Sequence, residues 1–150
     1  MNWEFEKVSG PWGFTEGPQW TGAVLLFVDM PSHRVMRFDP ATGVTDRYYE
    51  GTNGGNGLLW TEAGQLICCE SGARRISLIS AAEGQADTIV DNFEGKRLNS
   101  PNDIVMDGQG RLWFTDPRYG QDRGDMELDH ESIYRLTPHG GHSHIDRMTF

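Results

Sequence analysis

The chain has 150 residues, 37% of them hydrophobic, with 19 glycines and a formal net charge of −9. That length and apolar content allow one ordinary domain with a core, and the glycine count fits a turn-rich β protein. Net acidity argues against nucleic acid or an anionic membrane as partner, while Met1 to Lys7 lack a signal sequence and no apolar run reaches about 18 residues, so the expectation is a cytoplasmic protein.

Residues 1–15 read as a lead-in or outer strand, with Trp3, Phe5 and Val8 alternating by side until Ser9-Gly10-Pro11 breaks the run. A first unit follows over about 16–55. It contains Gly17-Pro18-Gln19-Trp20, Leu26-Phe27-Val28-Asp29 and Arg34-Val35-Met36-Arg37-Phe38, and Asp39-Pro40-Ala41-Thr42-Gly43 turns the chain into Val44-Thr45-Asp46-Arg47-Tyr48. A second unit, about 56–101, repeats the order with Gly57-Leu58-Leu59-Trp60, Ile67-Cys68-Cys69-Glu70, Arg75-Ile76-Ser77-Leu78-Ile79 and Thr88-Ile89-Val90. The third, about 102–150, has Ile104-Val105-Met106, the turn Asp107-Gly108-Gln109-Gly110, Leu112-Trp113-Phe114-Thr115-Asp116 and Ser132-Ile133-Tyr134-Arg135-Leu136. Its polar insertion, Arg118 to His130, reads as a loop over one face.

The units superpose with shifts of 40 and 46 residues. Short strands repeated at about 40–50 residues are the signature of a β-propeller, so the predicted class is all-β. The repeat also aligns single residues. Just before the innermost strand the same position holds Glu16, Asn56 and Asn102, and equivalent positions of successive blades point toward the central axis. Such residues often only cap turns, but three in register favour a shared site. One carboxylate and two amide oxygens suit a hard cation, Ca²⁺ before Mg²⁺.

Other motifs carry less. Gly54-Gly55-Asn56-Gly57 lacks the lysine and following helix of a phosphate loop. Cys68 and Cys69 are strand neighbours on opposite faces, which rules against a mutual disulfide and favours core packing over nucleophilic use. His139, His142 and His144 flank Gly140-Gly141 and read as an inter-strand turn in preference to a Zn²⁺ or Ni²⁺ site. Arg74-Arg75 reads as a solvated pair. Asp29, Glu70 and Asp116, each ending a second strand, serve as hydrogen-bond acceptors without a catalytic role.

Phe14-Thr15-Glu16-Gly17-Pro18, Asn99-Ser100-Pro101-Asn102-Asp103 and Gly110-Arg111-Leu112-Trp113-Phe114-Thr115-Asp116-Pro117-Arg118-Tyr119-Gly120 together resemble the SMP-30/gluconolactonase/LRE-like family, in particular its bacterial gluconolactonase-like members. The resemblance implies a six-bladed propeller, of which the chain supplies about three blades, with a divalent cation in the channel. Ca²⁺ is the expected cofactor, Mg²⁺ or Zn²⁺ being alternatives. It implies hydrolysis of a small-molecule sugar lactone, with Glu16 and Asn102 as metal ligands and Asn99 and Asp116 in substrate binding; Asn56, assigned to substrate binding as well, rests on the repeat alone. Six blades need roughly 250–300 residues, so the family's later ligands and general base are expected beyond Phe150. Two departures stand out: animal members carry arginine where this chain has Ser100, and their substrate-contacting glutamate falls near Tyr119-Gly120. A non-catalytic binding scaffold or sugar-acid sensor, an inactive fragment, and a homodimer closing one ring from two copies remain as other readings.

Overall fold

The computed structural model describes residues 2–119, 123–139 and 142–148. Among them there is no α-helix; a single 3-10 turn, Met30–Ser32, interrupts an otherwise β architecture. The first four-stranded antiparallel sheet takes β1 (Thr15–Trp20), β2 (Leu25–Asp29), β3 (Arg34–Asp39) and β4 (Val44–Glu50) in chain order. The second repeats this with β5 (Gly55–Trp60), β6 (Leu66–Glu70), β7 (Arg75–Ser80) and β8 (Gln85–Val90). A short hairpin, β9 (Asn92–Phe93) and β10 (Lys96–Arg97), leads to the third sheet of β11 (Ile104–Met106), β12 (Leu112–Asp116), β13 (Ser132–His139) and β14 (His142–Arg147).

The alternating sequence pattern explains how the sheets stack. Leu66 and Cys68 of β6 join Leu26, Val28, Val35 and Tyr49 of the first sheet in one buried cluster. Their neighbours Ile67 and Cys69 join Ile104, Leu112, Phe114 and Tyr134 of the third sheet in another. Successive side chains of a strand point to opposite faces, so the middle sheet is buried on both sides. Both cysteines are free and buried. Burial pushes the Cys68 thiol up to about 12 and Cys69 well above its ordinary value. Each fully buried isoleucine or leucine is worth about 1.5–3 kcal/mol, and most of these side chains meet a neighbouring sheet, so the units hold as a stack.

Three local expectations are corrected. Of the two readings of residues 1–15, the outer strand does not form: residues 2–14 carry no strand and run as a lead-in to β1, with Trp3, Phe5 and Val8 exposed. Trp12 turns back onto Phe27, with ring centroids 5.8 Å apart. Arg74 and Arg75 are not a solvated pair. Arg74 is buried, its Nε donating to the Leu98 carbonyl at 2.5 Å and Nη1 to the Asp125 carbonyl at 2.9 Å, while Arg75 Nε donates to Glu70 Oε2 at 2.5 Å. The insertion is more than a surface loop, because Leu128 enters the core between the second and third sheets. Of the histidine cluster, the backbones of His139 and His142 face each other across the β13–β14 turn. Gly140, Gly141 and both these side chains lie outside the described residues. The exposed His144 lies 3.0 Å from Asp146.

Candidate functional site

The innermost strands of the three sheets run side by side, and two glycines allow it. A Cβ on Gly17, whose φ is +58°, would lie 2.5 Å from the Asn56 carbonyl oxygen. A Cβ on Gly57 would lie 2.7 Å from both the Asn102 carbonyl oxygen and the Asp103 Cα. Without these side chains the backbones touch. Gly57 N–H donates to the Asn102 carbonyl at 2.7 Å, and Trp60 N–H donates to Gln19 Oε1 at 3.1 Å.

The Asn56 and Asn102 carbonyls take part in these contacts, and Glu16 directly precedes Gly17. Register shifts between Glu16 and Gln19 and between Gly55 and Leu58 bend β1 and β5 there, as bulges beside functional sites do. Asn56 is 6% exposed, and Glu16 and Asn102 are half-buried. None of the three side chains takes a hydrogen bond or ion pair from another described residue. Asn102 is held through its backbone, its N–H donating to the Thr115 carbonyl at 2.9 Å. It also borders an open cleft of about 660 Å³ shared with Thr115, Tyr119, Ile133 and Arg147.

This donor set fits a hard cation: one carboxylate and two amide oxygens on touching strands, with polar ends unspent on the protein. No group of three His, Cys, Asp or Glu side chains suited to a metal occurs among the described residues. The amides of Asn56 and Asn102 are therefore what makes a shared oxygen site conceivable.

Asn99 and Asp116 are placed differently. Both are fully buried. Asp116 Oδ2 accepts the Asn99 N–H and Oδ1 the Ser100 N–H, each at 2.8 Å. Asn99 Nδ2 donates to the Asp116 carbonyl at 3.2 Å and the His130 carbonyl at 2.9 Å. Burial pushes the Asp116 carboxyl up, and the two amides and Arg74 pull it back. The Asp116 carboxylate thereby holds the loop before Asn102 while the residue also borders the cleft there, and Asn99 Oδ1 is buried without a hydrogen-bond partner. Sequence reading missed Arg118, whose Nη1 donates to Ser100 Oγ at 3.2 Å. It lies in a non-repeated loop, so no register pointed to it. Tyr119 is exposed, and Gly120 lies outside the described residues.

Residues 14–150 match the family described as the SMP-30/Gluconolactonase/LRE-like region. The chain belongs to this family. A gluconolactonase of Zymomonas mobilis is 32% identical over an alignment that covers 90% of this chain and 43% of that protein. The solved structure of a gluconolactonase from Xanthomonas campestris is 35% identical with a TM-score of 0.84, covering 95% of this chain and 49% of its own. A putative gluconolactonase of known structure gives 31% and 0.81, with 93% and 50% covered. The chain thus spans about half the length of these relatives. A calcium-binding protein, regucalcin, from Agrobacterium tumefaciens shares the fold at 16% identity and a TM-score of 0.65. The three stacked sheets are accordingly part of an SMP-30-type β-propeller.

Proposed function

We propose that this chain forms three blades of a Ca²⁺-dependent lactone hydrolase of the gluconolactonase type. The observation that supports the reading is that Glu16, Asn56 and Asn102 stand at matching positions of inner strands whose backbones touch, with their side chains free of partners among the described residues. Glu16 and Asn102 would hold the cation. Asn56, nearly buried between them in chain order, would supply a further oxygen or an N–H to the sugar hydroxyls. When bound, the cation supplies Lewis-acid polarisation of the lactone carbonyl and stabilises the negative charge that develops as water attacks. Hydrolysis adds water across the ring ester, breaking the acyl C–O bond to give a hydroxy acid.

Glu16 is committed as a ligand, so the base that takes the water's proton is assigned to later blades. Val105 and Ile133 are exposed on the outer face of the third sheet, which the next blade would cover. In the full-length protein, Glu16→Gln and Asn102→Ala are each expected to abolish chelator-sensitive lactone hydrolysis. Wild-type turnover in either variant, or activity indifferent to chelator, overturns the proposal. Ligand binding without turnover in the wild type would favour the scaffold reading.

A further inference from the structure

The acids that end the second strands share a geometry that the lactonase reading leaves unused. In the first sheet Asp29 Oδ1 accepts the Gly13 N–H at 3.1 Å. In the second, Glu70 Oε1 accepts the Asn53 N–H at 2.9 Å. In the third, Asp116 accepts the Asn99 and Ser100 N–H groups at 2.8 Å each. Gly13, Asn53 and Asn99 stand three residues before Glu16, Asn56 and Asn102. All three carboxylates are buried.

We infer that Asp29, Glu70 and Asp116 are positioning residues, each fastening the backbone three residues ahead of the side chain that its blade presents to the site. A carboxylate on a backbone N–H makes a charge-assisted bond, stronger and shorter than its neutral counterpart. Three different sequences, Gly13-Phe14-Thr15, Asn53-Gly54-Gly55 and Asn99-Ser100-Pro101, meet the same clamp, so the clamp is not a by-product of one loop's composition. The residue after each acid adds little to an alternative account. Met30 and Ser71 tie back to Phe14 and Gly54 through their own N–H groups, pairing backbone with backbone and needing no carboxylate.

The clamps are unequal. Asp116 takes two N–H groups, whereas Asp29 takes one and Glu70 divides itself between one N–H and Arg75. Asparagine at 116 has a single acceptor oxygen and turns an NH₂ toward the second amide. Glutamine at 70 and asparagine at 29 each keep one acceptor for one N–H. The expected order of damage is therefore Asp116→Asn, then Glu70→Gln, then Asp29→Asn.

The inference rests on the cation reading for its functional consequence, and two measurements on the full-length protein separate them. Hydrogen exchange at the Asn99 and Ser100 amides reads the clamp itself, and calorimetric Ca²⁺ titration reads its effect. Asp116→Asn should lose protection at those two amides and weaken Ca²⁺ binding by roughly 10–100-fold, the usual cost of removing a group that orients a ligand. Leu136→Ala, a truncation in the buried core of the same sheet, should lower the melting temperature while leaving Ca²⁺ affinity unchanged. Equal loss of affinity in the two variants, or full protection of both amides in Asp116→Asn, overturns the inference. If the wild type takes up no Ca²⁺, the cation reading fails, and the clamp is decided on amide protection alone.

Discussion

Gly57 is where two inner strands meet, and Gly57→Ala tests whether that contact holds the site together. The new methyl would stand 2.7 Å from the Asn102 carbonyl oxygen and the Asp103 Cα, and must retreat by about 0.7 Å to reach ordinary contact at 3.4 Å. Both obstacles are backbone, so no side chain can swing aside. Overpacking of this kind costs about 1–3 kcal/mol. Stretching the Gly57–Asn102 hydrogen bond adds about 0.5–1.5 kcal/mol, for a total of about 2–4 kcal/mol. With a urea dependence of about 2 kcal/mol per molar, the middle of the range for small proteins, the unfolding midpoint should fall by about 1–2 M. Gly108→Ala is the control, because no atom lies within 4 Å of a Cβ there and its φ is outside the left-handed region. It should leave stability within about 1 kcal/mol of wild type. A Gly57→Ala protein as stable as Gly108→Ala would refute the claim that the glycine is required by backbone contact.

Cys68 and Cys69, buried with raised pKa values, should resist alkylation at pH 8 in the folded protein and both react after denaturation; labelling of the native protein would contradict their place in the core. Arg75→Ala strands the buried Glu70 carboxylate without its cation and should cost about 3 kcal/mol. Adding Glu70→Gln should recover part of that loss in a double-mutant cycle, and strict additivity would show the pair to be uncoupled. Asp107 is held below the usual carboxylate range, chiefly by the Trp113 indole N–H and also by Arg111. Its contribution is present above the unfolded value of about 3.9 and fades as pH falls, so Asp107→Asn should flatten the acid side of the stability curve. Asp116 has the opposite sign: burial raises its folded pKa, the native state retains a proton the unfolded chain has lost, and stability declines as pH climbs from about 4 through the folded value. Asp116→Asn should remove that decline, and an unchanged profile would count against the burial argument.

The parts of this molecule that recur were the parts legible in its sequence. Strand positions, the opposed faces of Cys68 and Cys69, and the alignment of Glu16 with Asn56 and Asn102 all follow from period-two alternation repeated at a fixed spacing. Sequence alone leaves Arg74 solvated because its partners, the Leu98 carbonyl and the Asp125 carbonyl, sit in segments without counterparts in the other units. Motif resemblance assigns Asn99 and Asp116 to the substrate, and it marks a residue as important without saying which way its side chain turns. In the structure the Asp116 carboxylate fixes two backbone amides, a contact that motif resemblance does not reveal.

Charge gives a reason for this division of labour. Each unit carries an acid at the end of its second strand, yet only one of the three site positions, Glu16, is itself acidic. Carboxylates at all three positions would crowd like charges onto touching backbones and raise one another's pKa. Amides at 56 and 102 supply oxygen without that repulsion, while the negative charges of Asp29, Glu70 and Asp116 are spent on backbone N–H groups and Arg75. On the proposed reading, a dication facing Glu16, Asn56 and Asn102 would meet a single negative charge from these blades and retain its pull on a carbonyl oxygen. Glu16→Gln should therefore weaken Ca²⁺ binding more than Asn56→Ala does, since it removes that charge whereas the other removes only a dipole; the reverse order in calorimetric titration would refute this charge argument.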